Sequence, residues 1–143
     1  MTTNIEIEKV LKHTPSFIAC ISKDEITRFS PHTNGTYIIN LQNSNKGDGS
    51  HWVLLHISPS NAIYFDSLGI TVPPTIIQQF IKATGKPFLT SSSRFQSLQA
   101  TTCGKWAILT AQLLDKSIPF TSIINEMYPK LIPNWQELQP RKS

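Results

Sequence analysis

The stretch "GSHWVLLHISPSNAIYFDSLG", residues 49–69, decides how this chain folds. Two runs rich in β-formers, "HWVLLHI" (51–57) and "AIYFDS" (62–67), flank "SPSN", a four-residue spacer of turn residues that suits an antiparallel hairpin. In such a hairpin the start of the first strand and the end of the second meet at the open end. That end carries Asp66 and His51, which directly follows the turn-rich "NSNKGDGS" (43–50). A strand end beside a loop is where a side chain can face a cleft. Taken separately, His51 is an ordinary surface or capping histidine and Asp66 an ordinary strand-ending aspartate. Taken together they form a candidate pair, in which the carboxylate accepts the ring N–H and stabilises an imidazolium. His56 lies in the same strand, on the opposite face by parity.

Working outward, "NIEIEKVLKH" (4–13) predicts a short first helix ended by Pro15. "SFIACIS" (16–22) is a short strand or packed segment, and "GTYIINLQN" (35–43) holds a strand from about Thr36 to Leu41. Beyond the hairpin, "TIIQQFIKATG" (75–85) predicts a helix with Ile76, Ile77, Phe80 and Ile81 on one face. Thr75 and Gln78 can make a capping box there, and Gly85 stands where a helix-ending glycine belongs. "PFLTSSS" (87–93) is one more short strand. From Cys103 the pattern turns helical, with Trp106, Leu109 and Leu113 on one stripe and Ala107, Ala111 and Leu114 beside it. The alanines permit close approach, so this helix is expected to be central. A shorter helix near "FTSIINEMY" (120–128) follows Pro119. The expected class is α+β: a small, mostly antiparallel sheet packed against helices, in one domain over residues 1–143.

The bulk numbers agree with one small domain. In 143 residues, 39% are apolar and 15% charged, enough for a core and unlike a disordered chain. The net charge of +4 permits an acidic partner but is no nucleic-acid signature by itself. "MTTNIEIEKVLKH" has no apolar run suited to a signal sequence, and no stretch approaches the roughly 20 apolar residues of a membrane span. An intracellular protein that makes no membrane contact is expected. Two cysteines, Cys20 and Cys103, make no disulfide framework, and free thiols suit a reducing compartment. Neither belongs to a CxxC, and His13, His32, His51 and His56 lack zinc spacing, so no metal is expected. GxGxxG and P-loop motifs are absent.

The second informative stretch is "RFQSLQATTCGKWAIL" (94–109), where a polar loop gives way to the helix at Cys103. A helix N-terminus carries partial positive charge and unpaired N–H groups, which lower a thiol pKa and can bind an oxyanion. Gly104 would leave that backbone open to a substrate. Cys103 is therefore either a buried structural thiol or a nucleophile, and a nucleophile needs a base such as His51.

"GSHWVLLHI", "AIYFDSLG" and "FQSLQATTCGKWA", in that order, resemble the adenovirus-type (adenain-like) cysteine proteases, which belong with the SUMO-specific and related ubiquitin-like proteases. The family pattern is His-Trp on one strand, Asp or Glu ending the next, then Gln upstream of Cys-Gly. His51-Trp52, Asp66, Gln96 and Cys103-Gly104 match it over residues ~34 to ~116, and "FIACISKDEI" (17–26) is similar to a degenerate form of the preceding segment. The resemblance implies a papain-like architecture whose central helix starts at the catalytic cysteine. It implies Cys103 as nucleophile, His51 as base, Asp66 as orienting group and a glutamine amide in the oxyanion hole. Gln96, seven residues before the cysteine, has the adenovirus-type spacing; Gln99 is the alternative. Trp52 becomes a wall of a narrow groove that favours glycine before the cut, or an ordinary core tryptophan.

The resemblance also implies a maturation protease of a virophage, a Polinton-like element or another DNA virus. Such an enzyme would act as a monomer on capsid or core precursors, inside the infected cell and in the virion, without a cofactor. A second expectation is removal of SUMO, ubiquitin or a similar modifier from host proteins; a third is an inactive protease fold used for binding. The adenovirus enzyme is longer and takes a peptide activator through a second cysteine. Cys20 lies outside the matching region, so that tether is not carried over. Stimulation by viral DNA rests only on the charge of +4 and the tail "PRKS".

Overall fold

The computed structural model describes residues 2–42, 51–97 and 102–140. Helix α1 (Asn4–Leu11) leads into strand β1 (Phe17–Ser22), a 3₁₀ helix (Lys23–Arg28), β2 (Gly35–Asn40), β3 (Trp52–Ile57) and β4 (Ala62–Phe65). Helix α2 (Thr75–Thr84), strand β5 (Phe88–Thr90) and helix α3 (Cys103–Asp115) follow. The chain then continues through α4 (Phe120–Ser122), a π-helical turn (Ile123–Met127), α5 (Tyr128–Leu131) and α6 (Trp135–Leu138).

The strands form one five-stranded sheet in sequence order. The β3–β4 pairing is the hairpin read from residues 49–69, with Leu54 opposite Phe65 and Ile57 opposite Ala62. Its corner is closed by Ser58, whose backbone N–H donates to the Asn61 carbonyl at 2.9 Å. The expectation of a mostly antiparallel sheet holds for the inner pairs β2–β3 and β3–β4, whereas both edge pairs, β1–β2 and β4–β5, are parallel. Parallel neighbours need a crossover. The 3₁₀ helix and α2 supply those crossovers, so helices inserted between strands turned the edges.

Helices cover both faces of the sheet. On one, Ile38, Trp52, Leu54, Ile63 and Phe65 pack with Ile7 and Leu11 of α1 and with Ala107, Ala111 and Leu114 of α3. On the other, Tyr37, Ile39, Val53, Leu55 and Tyr64 pack with Ile26 and with Ile77, Phe80 and Ile81 of α2. A strand buried on both faces has no polar side to show, which is why "WVLL" is continuous rather than alternating. On α3 the fully buried stripe is Ala107, Thr110, Ala111 and Leu114; Trp106, Leu109 and Leu113 are half-buried beside it.

One local expectation is corrected. Thr75 and Gln78 do not make a capping box: Pro74 caps α2, and the Gln78 amide donates instead to the Pro73 carbonyl at 2.6 Å. Prolines at 73 and 74 set the entry conformation, so Thr75 already lies inside the helix. Gly85 does end α2, with φ of +70°.

Candidate active site

Three elements bring the chemistry to one end of the sheet. His51 immediately precedes β3 and is held by its own backbone, whose carbonyl accepts the Leu41 N–H at 3.0 Å. Asp66 immediately follows β4 in a tight turn, where the Gly69 N–H donates to the Asp66 carbonyl at 2.8 Å. Gly69 has φ of +76°, a conformation open to glycine at little cost, and a Cβ there would run into the Ser92 carbonyl. Cys103 is the first residue of α3.

The side chains meet as the hairpin requires. His51 Nε2 lies 2.7 Å from Asp66 Oδ1, the carboxylate being fully buried. The same Oδ1 accepts the Leu68 N–H at 2.9 Å, so the turn fixes the carboxylate that fixes the ring. Burial works against a charged His51, but hydrogen bonds to Asp66 and Cys103, together with their charges, outweigh it and push the imidazole up to about 9. Burial likewise works against a Cys103 thiolate. The hydrogen bond from His51, the Trp52 backbone N–H (3.5 Å from Sγ), the imidazolium charge and the Gly104 N–H together hold the thiol below its ordinary range. A lowered thiol and a raised imidazole favour a thiolate–imidazolium pair, the charge state that a cysteine nucleophile would use.

Gln96 is buried, and it contacts the sequence neighbours of Asp66 and Cys103. Its Oε1 accepts from the Ser67 hydroxyl at 2.8 Å and from the Thr102 hydroxyl at 3.4 Å. Two donors on the carbonyl oxygen turn the amide so that its NH₂ is the end directed away from them, and one of those donors, Thr102, is the residue before Cys103. The segment carrying Gln96 is braced from both sides. The Phe95 N–H donates to the Ser67 carbonyl at 2.8 Å, and the Gln139 side chain pairs with both backbone groups of Arg94, at 2.8 and 2.7 Å. Gln99 and the loop 43–50 lie outside the described residues.

Trp52 is 5% exposed, and its indole N–H donates to the Thr2 carbonyl at 3.1 Å. Gly104 does not face open space. A Cβ there would come within 2.7 Å of Thr2 Cβ, so the glycine is needed to seat Thr2. The flank of Cys103 formed by Trp52 and Gly104 is therefore partly filled by Thr2, and beyond it Trp52 and Thr2 border a cavity of about 470 Å³ that also takes in Asn40 and Cys20.

The remaining candidates fall elsewhere. His56 pairs with Thr36 through Nδ1 at 2.6 Å, and His32 lies in an exposed turn. Cys20 is half-buried on β1, where burial and the charges of Glu8 and Glu25 push its thiol up to about 12, unsuited to nucleophilic chemistry. No cluster of three or more metal-ligating side chains occurs among the described residues. Nor is any of the helices described long and apolar enough to cross a membrane. The positioning roles of Ser67, Thr102 and Thr2 escaped the sequence. Ser67 alone carried a signal, as the hydroxyl next to Asp66 in "YFDSLG".

The comparisons with known proteins give one clear result. The crystal structure of ASFV pS273R protease matches with a TM-score of 0.61 at 15% identity, over 86% of this chain and 60% of that one. The chain shares that protein's fold. The selenomethionine form of that protease matches with a TM-score of 0.65 at 13% identity, over 100% of this chain and 69% of that one. The α+β, papain-like architecture expected from the sequence is thus borne out. No protein-family model matches the chain, and no curated protein matches its sequence.

Proposed function

We propose that this protein is a cysteine endopeptidase of a DNA virus, virophage or Polinton-like element, acting on capsid or core precursor proteins during virion maturation. The observation that carries this is His51 set between the Asp66 carboxylate and the Cys103 thiol, with the imidazole pushed up and the thiol down. In the proposed reaction Cys103 Sγ attacks the peptide carbonyl carbon. The developing oxyanion is received by the Cys103 backbone N–H and the Gln96 amide. His51 gives its proton to the leaving amine as the C–N bond breaks, which leaves an acyl-enzyme thioester. His51 then takes a proton from water, whose oxygen displaces the thiolate and releases the acid. Asp66 keeps the ring oriented throughout.

The resemblance of the motif order to adenovirus-type enzymes supports the viral assignment, as does the fold shared with ASFV pS273R protease. The filling of the flank between Trp52 and Gly104 by Thr2 supports glycine or another small residue before the cut. That same flank suits the glycine-rich terminus of a ubiquitin-like modifier, which supports a second function, release of such modifiers from host proteins. The deciding experiment offers the purified protein two substrate sets, viral capsid precursors and modifier conjugates, with and without a thiol-alkylating agent. Alkylation-sensitive processing of precursors alone supports the first function. Processing of conjugates alone replaces it with the second, and processing of neither set removes the protease assignment.

A further inference from the structure

Cys103 has a second flank, and it differs from the first. Beside Thr102, the residue before Cys103, the surface opens into a cavity of about 510 Å³. Phe95, Trp106, Leu109, Ile132 and Leu138 form its apolar lining, and Gln96 and Thr102 stand at its edge. Phe95 is buried, whereas the other four are half-buried rather than sealed in the core. Two come from the α3 stripe that starts beside the nucleophile, since Thr102, Trp106 and Leu109 recur at helical spacing. The other two come from the segment after α5 and from α6. The cavity is therefore continuous with the candidate oxyanion hole, through Gln96 and Thr102.

We infer that this cavity is the subsite for the leaving-group side of the substrate, and that it takes a large apolar side chain within the first three residues after the cleaved bond. The inference rests on the protease function proposed above and adds a specificity to it. A peptide bond held at Cys103 must send chain both ways. Next to Cys103 the Trp52 flank already holds Thr2, so it suits the small residues of the acyl side. The chain after the bond is left with the open flank. Along α3, Trp106 stands ~4.5 Å and Leu109 ~9 Å beyond Cys103 at ~1.5 Å per residue. An extended peptide covers that span in about one to three residues at ~3.3 Å each. An apolar lining without a buried counter-charge selects leucine, isoleucine, methionine or phenylalanine over polar side chains. Lys105 lines the same cavity and is exposed, so an acidic residue further along the leaving segment would be tolerated at the mouth.

The test is to digest a proteome-derived peptide library with the enzyme and identify the new N-termini, which read the leaving-group side directly, whatever the acyl-side sequence. Large apolar residues are expected to be enriched at one of the first three positions. Leu109→Lys should abolish that enrichment and lower kcat/KM about tenfold or more for a quenched peptide that carries the preferred residue. With a coumarin amide of the same acyl-side sequence, which lacks a leaving-side chain, Leu109→Lys should match the wild type; Leu138→Lys, on a different helix, should behave in the same way. A flat profile on the leaving side, with cleavage intact, overturns this inference and leaves the protease function standing. An equal loss on the coumarin amide also overturns it, by assigning the cavity to the acyl side. Absence of any Cys103-dependent cleavage removes both.

Discussion

His51 and His56 stand at the two ends of one β-strand, both half-buried, and they titrate in opposite directions. Burial disfavours the charged ring at both. At His51 the carboxylate of Asp66 and the thiol of Cys103 overcome it, and the imidazole rises to about 9. At His56 the contact is a neutral hydroxyl, Thr36 Oγ1, and the charge of Asp115 does not compensate, so the imidazole falls below 6.5. The same residue type favours its charged form just before the strand and its neutral form near the far end. Partner chemistry, not depth, separates them.

The contrast is broken most directly at the reacting groups. Cys103→Ala and His51→Ala should each lower kcat on a cleaved peptide by about 10⁶, as for comparable triads, whereas His56→Ala should stay within a factor of a few. Comparable losses in His51→Ala and His56→Ala would show that the two ends are not distinct. Asp66→Asn should cost about 10⁴. It should also change the pH dependence. An ion pair of lowered thiol and raised imidazole reacts between the pH at which Cys103 loses its proton and the pH, about 9, at which His51 loses its own. Without the carboxylate the upper limb should move from about 9 toward 6.5. The rate of alkylation of Cys103 against pH measures this independently of turnover.

Gln96→Ala should lower kcat by about 10²–10³ with little change in KM, because an oxyanion donor acts chiefly in the transition state. Ser67→Ala removes one hydroxyl from the Gln96 carbonyl, a bond worth ~1 kcal/mol, so kcat should fall only about fivefold. Steady-state kinetics on both variants with one peptide separates a donor from its support; equal losses would make Ser67 more than a support. Gly104→Ala should destabilise the fold by ~1–3 kcal/mol through the clash with Thr2, and Thr2→Gly in the same chain should recover most of it in urea titrations.

The smallest effects concern stability against pH. His51 has a folded pKa raised above its ordinary 6.5, so its contribution is complete below about 6.5 and is lost as pH rises through about 9. His56 has a lowered folded pKa, so its contribution is complete above 6.5 and is lost as pH falls through the folded value. Thermal melts of His56→Gln should accordingly show a shallower acid limb and leave the alkaline limb unchanged.

Much of this was legible in the sequence. The hairpin followed from β-formers around "SPSN", and its open end brought His51 to Asp66 with no long-range information. The helix starting at Cys103 followed from spacing. Contacts that depend on tertiary approach were not legible. Thr2 reaches Trp52 and Gly104 only because α1 packs on α3, and no local pattern encodes that. Edge-strand direction was missed for the same reason: it is set by the path of the crossovers, and a short apolar run such as "FIACIS" serves either direction equally.

The corner at Asp66 and Ser67 has a consequence for how the gene can change. One residue holds the imidazole and its neighbour holds the glutamine amide, so two halves of the chemistry hang from consecutive positions of one backbone. Volume-conserving substitutions on the surrounding buried strands can accumulate while that corner keeps its place. A codon inserted or deleted between Ala62 and Asp66 would shift the side chains that follow to the opposite face of the sheet, and base and oxyanion donor would lose their supports in a single event. Descendants of this gene should therefore keep the length of β4 constant and confine its spelling to side chains that fill the same core.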